Sequence, residues 1–471
     1  MLAVHDSGCR ISAPPCRKNA LLRHKYSNEI HSGRFSVAKR KTRGHLNGGR
    51  FLHGSGYSGC CYGALSPVSN WITKDRLRRA VRRRLLRLGF HKNGKGYSLP
   101  QQLTKDEIRD LHGPSRRVLH SADHAFLTDR GFALLPHFAD GREIAPATID
   151  PELVEVSAGS QEAELFRIAT LLWSVPVSGG FGRRLRFLVK DRQNGKLIGV
   201  FALGDPVFNL NVRDEWIGWS TTDRSERLVH VMDAYVVGAV PPYAQLIGGK
   251  LVAALMTSQE VLRAYDRKYL GTTSVINRVQ HQARLVLVTT TSALGRSSLY
   301  NRLAIPDGPQ FIRLGVTSGF GHFHLSGHLF TLMRKYLKQI GHPYASGNRF
   351  GMGPNWKLRV ARAALDAVGL ESRGILRHGI AREVYAAPLA YNWKEILVGS
   401  EQEVRYRSRS VKSLAESCKD RWVVPRSLRD PTYLAVTRAS IRALLISGRS
   451  VASSQTRPAR PQLLLTAAAG C

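Results

Sequence analysis

The sequence predicts an α/β fold: a mixed sheet with flanking helices over residues 150–330, preceded by a small basic helical unit over 71–130 and followed by an α-rich portion over 331–440. Three stretches carry this prediction. Residues 185–203 read as two apolar strands joined through Gln193, Asn194 and Gly195, where Asn-Gly supplies the positive φ angles of a tight antiparallel turn. Residues 228–240 form an apolar run rich in β-branched valines that Pro241 and Pro242 end. Beyond them, Leu251, Val252, Leu255 and Met256 recur at helical spacing, giving strand, turn and helix. Finally, Leu77, Val81, Leu85 and Leu88 lie on one face of a helix whose other faces carry arginine.

The elements follow in order. Residues 1–70 show no sustained periodicity and are expected to be a disordered or unassigned basic segment, Arg-rich and acid-poor at its start like a transit peptide. Thr73 is a helix N-cap, Gly89 ends that helix, and residues 96–99 form a short strand. The capping box from Thr104 to Glu107 opens a second helix, read as running to Leu111. A loop with Gly131, Pro136 and Gly141 leads to a strand at 153–156, a helix at 162–173 and the hairpin. Residues 204–222 read as a polar excursion before the long strand. Strands are expected at 284–289 and 311–316, with a short helix between them ending near Leu303. Gly319, Gly321 and Gly327 then break regularity, helices return at 329–340 and 357–368, and residues 441–471 read as a disordered tail.

Lys and Arg number 70 against 34 Asp and Glu, a net charge of +36 in 471 residues, more than solubility requires. A polyanion is the expected partner, with nucleic acid, and DNA in particular, favoured. No apolar run approaches the roughly 20 residues of a membrane span, which argues against a membrane. The six cysteines, Cys9, Cys16, Cys60, Cys61, Cys418 and Cys471, form no C-x-x-C pair, a cytoplasmic pattern without a zinc site or disulfide framework.

Several residues are candidates for chemistry. Asp233, Asp205 and Glu383 could together hold a divalent metal for phosphodiester cleavage; the competing reading has Asp233 paired with an arginine and Asp205 stabilising a turn. His322 and His324 flank Phe323 and would share one face of a strand, as metal ligands or acid–base groups, or in a structural or DNA-contacting role. Tyr300, with Arg296, could donate to a substrate oxygen or pack in the core. Gln245, Gly248, Gly249 and Lys250 occupy the turn after the long strand, where free N–H groups at a helix start would favour an anion. Arg78, Arg79, Arg82, Arg83, Arg84 and Arg87 on the first helix would lie along a phosphate backbone.

The order strand, helix, hairpin, long strand, glycine turn, helix, strand, Tyr-bearing helix resembles the core of the GNAT acyltransferases. That resemblance implies coenzyme A on a Gln/Arg-x-x-Gly-x-Gly/Ala turn and a Tyr general acid. Gln245 and Gly248 match the first and fourth positions, Lys250 departs at the sixth, and Tyr300 matches the Tyr. Over residues 183–388 the phrases RRLRFLVKDRQNGKLIGVFALGDPVFNL, VMDAYVVGAVPPYAQLIGGKLVAAL, VTTTSALGRSSLYNRL, TSGFGHFH and GPNWKLRVARAAL resemble the DruA family of the Druantia anti-phage system, as does RHGIAREV. This second resemblance implies a prokaryotic defence or mobile-element protein that works with other defence proteins. Three functions follow as expectations: a nucleic-acid-binding defence protein with candidate metal-dependent nuclease activity, a coenzyme A-dependent acyltransferase, and a non-catalytic DNA-binding subunit.

Overall fold

The computed structural model describes residues 71–448 apart from 95, 100–102, 178–181, 274–279, 281 and 347–355. The segment 1–70, with Cys9, Cys16, Cys60 and Cys61, and Cys471 in the tail lie outside the described residues; Cys418 is a buried free thiol. The chain is mixed α/β. After helix α1 (Lys74–Arg87) and the hairpin β1 (His91–Asn93) and β2 (Gly96–Ser98) come α2 (Lys105–Asp129), β3 (Pro151–Glu155) and α3 (Gln161–Leu171). The hairpin β4 (Arg184–Asp191) and β5 (Lys196–Gly204) follows, then α4 (Asn211–Ile217), α5 (Thr221–Arg227) and the long strand β6 (Val231–Ala239). Next are α6 (Gly248–Leu255), α7 (Gln259–Tyr269), β7 (Leu287–Thr291), α8 (Ser298–Asn301), β8 (Ile312–Val316), α9 (His328–Gln339), α10 (Trp356–Ala367) and β9 (Glu383–Pro388).

Seven strands form one sheet in the order β3-β4-β5-β6-β7-β9-β8. Every pairing is antiparallel except β6 with β7, which run parallel and pair only from Val231 with Leu287 to Asp233 with Thr289. Alternation along β4 divides the core. Leu185, Phe187 and Val189 pack with α6 and α7, whereas Leu188 joins Val200, Ala202 and Val236 under α3. The pairing of β5 with β6 is irregular between Ala202 and Leu203, whose partners are Val236 and Ala234, so Tyr235 stands as the extra residue of a bulge. Tyr235 and Val236 both pack against the α3 side.

The elements differ from the sequence expectations at five places. The helix opened by the Thr104–Glu107 capping box does not stop at Leu111 but continues through Pro114 to Asp129. Its buried face from Ile108 to Leu127 outweighs the one backbone bond that proline removes. The polar stretch after the hairpin folds into α4 and α5, with Gly218 (φ 91°) closing α4. His322 and His324 are not on a strand: a single 3-10 turn, Phe323–Leu325, lies there instead. The C-terminal portion contributes β9, which enters the sheet between β7 and β8 with every residue buried. Lastly, Arg438–Ser447 is a helix that buries Ile441 and Leu445, so the tail cannot begin at 441.

α1 shares its core with the C-terminal portion. Leu77, Val81 and Leu85 pack with Leu329, Met333 and Leu337 of α9 and Val360, Ala361 and Ala364 of α10. No described helix is long and apolar enough to cross a membrane.

Candidate functional site

Because β6 and β7 pair over three residues and then separate, a cleft of about 720 Å³ opens between their C-terminal halves. Among the described residues no strand pairs with this edge of β6 beyond Asp233. Asp233, Tyr235, Val237, Thr290, Arg296, Tyr300, Gln245 and Arg382 are among the cleft-lining residues. Asp233 is half-buried at the point of separation and accepts a hydrogen bond from Thr289 Oγ1 at 3.0 Å. Burial pushes its carboxyl up to about 6, against smaller opposing effects of Thr289 and Arg213.

Tyr300 sits on the single turn of α8, whose start Ser297 caps through its hydroxyl. Its ring packs 5.0 Å from Phe311 and 5.2 Å from Tyr385, and its OH lies 3.5 Å from Thr290 Oγ1. Burial raises its phenol to about 12, so it is a protonated donor at neutral pH. Glu383 sits underneath and holds this turn in place. It accepts hydrogen bonds from Ser297 N at 3.3 Å, Asn301 Nδ2 at 3.2 Å, Arg313 Nε at 2.8 Å and the Tyr385 hydroxyl. Although burial opposes its ionisation, these donors keep the carboxyl below the ordinary range.

The three candidate carboxylates do not converge. Asp205 is turned onto Arg183, accepting from its Nε at 2.6 Å and its backbone N at 2.9 Å, while Asp233 and Glu383 have the separate partners already described. His324 is fully buried, with Nε2 2.9 Å from the Ile375 carbonyl, and burial lowers it to about 3. His322 is lowered to about 4, by burial and then by Lys357. Among the described residues no group of three or more His, Cys, Asp or Glu side chains could hold a metal ion.

The turn into α6 also differs from expectation. The left-handed residue is Ile247 (φ 61°), not a glycine, and α6 begins at Gly248. Gly248 N donates to Tyr243 O at 2.9 Å and Lys250 N to Ile247 O at 3.0 Å, so two of the N–H groups expected for an anion are used inside the turn. The Lys250 ammonium lies 4.3 Å from the Trp422 ring centre and 3.3 Å from the Arg302 carbonyl, and burial lowers its pKa. Gln245 does reach the cleft, where its buried Oε1 has no hydrogen-bond partner.

On α1 the six candidate arginines divide. Arg78 donates to Val368 O at 2.7 Å and Arg84 to His324 O at 3.2 Å, tying the helix to its neighbours. Arg79, Arg82, Arg83 and Arg87 are exposed, as is Arg76, and none has an ion pair among the described residues.

Residues 102–399 match the family model of Druantia protein DruA. The chain belongs to the DruA family. It is 48% identical over 364 residues to the Druantia protein DruA of Escherichia coli (strain UMEA 4076-1), covering 77% of this chain and 90% of that protein. No solved structure matches the chain significantly. The DruA match takes in the whole sheet and the cleft, while α1 precedes it. Within this DruA cleft, sequence reasoning missed Thr290, Thr291 and Arg382, and with them Thr289, which holds Asp233. The Thr289–Thr291 run at the end of an apolar strand was the available signal, since hydroxyls there must face either a partner or a cavity.

Proposed function

We propose that this DruA-family chain is the DNA-contacting component of a Druantia anti-phage defence apparatus and acts with other defence proteins. One observation carries the reading: Arg76, Arg79, Arg82, Arg83 and Arg87 stand exposed on a single helix, and the one acid of that helix, Asp75, is near Arg78 instead. Five guanidiniums left without carboxylates suit a row of phosphates, which position a protein without specifying sequence. With Arg82→Ala and Arg83→Ala together, duplex affinity should fall for all sequences alike, and the slope of log K against log salt should become shallower by about 2. Titration of labelled duplexes over a salt series measures both. An unchanged slope would remove α1 from the interface. A nuclease function draws no support from Asp233, Asp205 and Glu383, whose carboxylates face different partners.

The cleft favours a second reading, acyl transfer from coenzyme A. Its support is the parallel β6 and β7 that separate beyond Asp233, with Tyr300 as a protonated donor and Asp233 as a carboxyl titrating near 6 at the same cleft. On this reading acetyl-CoA gives a saturable calorimetric isotherm. Ala293→Trp, at an exposed cleft-lining position, should weaken it about tenfold by filling the space. Lys250→Ala should leave it unchanged, because that ammonium is turned onto Trp422. Absence of heat with the wild-type chain would end this reading.

A further inference from the structure

A second hollow, of about 590 Å³, lies on the α3 side of the sheet, at the start of β4. Its floor is unusual for a sheet face. Alternation places Arg184, Arg186 and Leu188 on this side of β4, and Leu188 is fully buried in the core under α3. Over four residues the same row thus passes from apolar core to two half-buried guanidiniums. The bulge in β6 brings Tyr235 beside them. The Arg184 guanidinium lies 4.6 Å from the Tyr235 ring centre and that of Arg186 lies 5.8 Å from Phe166.

The hollow carries uncompensated positive charge. Its two acids are already engaged, Asp123 by Arg167 and Glu155 by Arg267 at 2.6 Å. Among the described residues no carboxylate pairs with Arg184, Arg186 or Lys268, which also lines the hollow and donates from Nζ to the Arg184 carbonyl at 2.8 Å. The Nε of Arg184 is buried and has no hydrogen-bond partner. The aromatic rings repay part of the hydration that these half-buried guanidiniums lose, but no carboxylate balances their charge, which an anion would complete.

We infer that this hollow is a nucleotide site: Arg184, Arg186 and Lys268 hold a phosphate, and the base lies against the guanidinium and aromatic planes of Arg184, Tyr235, Arg186 and Phe166. Planar guanidiniums bind phosphate oxygens in pairs and stack on bases, which a lysine does not do. The volume falls within the roughly 300–1,000 Å³ of small-molecule pockets, enough for one nucleotide and too small for a duplex. The nucleotide is either free or one unit of a single strand. This site is separate from the arginine face of α1 and does not depend on it.

The test uses the full chain and three probes: adenosine monophosphate by calorimetry, a labelled oligodeoxyadenylate about six nucleotides long by anisotropy, and a labelled duplex as the control. Arg184→Ala with Arg186→Ala should weaken nucleotide or oligonucleotide binding about tenfold or more. Duplex binding through α1 should stay within about twofold, which shows the fold is intact. Loss of both ligands assigns a free or terminal nucleotide, and loss of the oligonucleotide alone assigns an internal unit of a strand. If the alanine pair also loses the duplex, Arg184→Lys with Arg186→Lys decides. That pair keeps the charge, and it should recover duplex binding while still binding the small probes more weakly than wild type. Conversely, Arg82→Ala with Arg83→Ala should lose duplex and keep nucleotide, so failure of one site is distinguishable from failure of the other. The inference is overturned if the wild-type chain binds neither small probe, or if Arg184→Ala with Arg186→Ala binds them as wild type does.

Discussion

Gly248→Val is expected to leave little folded protein. A Cβ at this position would stand 2.6 Å from the Tyr243 carbonyl oxygen and 3.1 Å from both the Tyr243 carbonyl carbon and the Ala239 Cβ. Two of these three atoms are backbone, and none is the end of a flexible side chain. That same carbonyl accepts the Gly248 N–H at 2.9 Å, so relieving the clash would open the turn that starts α6. The helix packs Leu251, Val252, Ala253, Ala254 and Leu255 into the main core, which would shift with it. Overpacking a rigid core site typically costs about 1–3 kcal/mol, and here a lost backbone bond and a displaced helix add to it, for a total on the order of 4 kcal/mol. Gly249→Val offers the comparison: its Cβ would meet only Leu299 Cδ1 at 3.0 Å, a side-chain terminus able to rotate away. Urea unfolding midpoints should therefore drop far more for Gly248→Val than for Gly249→Val. Equal midpoints would contradict close approach as the reason for glycine at position 248.

Asp233→Asn is expected to stabilise the protein at neutral pH. Burial raises the Asp233 carboxyl from 3.8 to about 6, so the folded state holds this proton more tightly than the unfolded chain does. Between those two values the native state binds more protons. Stability from this group is thus fully present below about pH 4, declines as pH rises to about 6, and stays reduced above it. At about 1.4 kcal/mol per pH unit the difference approaches 2–3 kcal/mol, an upper figure because the cleft admits water. Asparagine keeps an acceptor for Thr289 and carries no charge. The variant should melt above wild type at pH 7.5, and the two should converge at pH 4. A gap that is constant with pH would show that Asp233 is not the titrating group. Acetyl-CoA titration of the same variant separates a carboxyl needed by the cleft from one the fold merely tolerates.

Local features of the sequence determined much of this architecture. The short turn Arg192–Gly195, with Gly195 at φ 70°, and the two apolar runs beside it make the β4–β5 hairpin, because four residues are too few for anything but an antiparallel return. A run of apolar and β-branched residues makes β6 a strand, and Thr73 and Thr104 start their helices through hydroxyls that accept N–H groups three residues on. The basic excess and the arginine face of α1 were legible for the same reason: charge and helical period are properties of neighbouring residues.

What only the tertiary structure decided depends on residues far apart in the chain. Six-residue β9 is short and buried on both faces, and it reads as a strand only once β7 and β8 lie on either side of it. Glu383, an apparent metal ligand in sequence, becomes the acceptor that holds the Tyr300 turn because β9 brings it beneath Ser297 and Asn301. Lys250 follows a glycine pair as an anion-binding lysine would, yet Trp422, 172 positions later, takes its ammonium. The cleft itself exists because two parallel strands pair for three residues and then part, a register that neither strand's sequence contains alone.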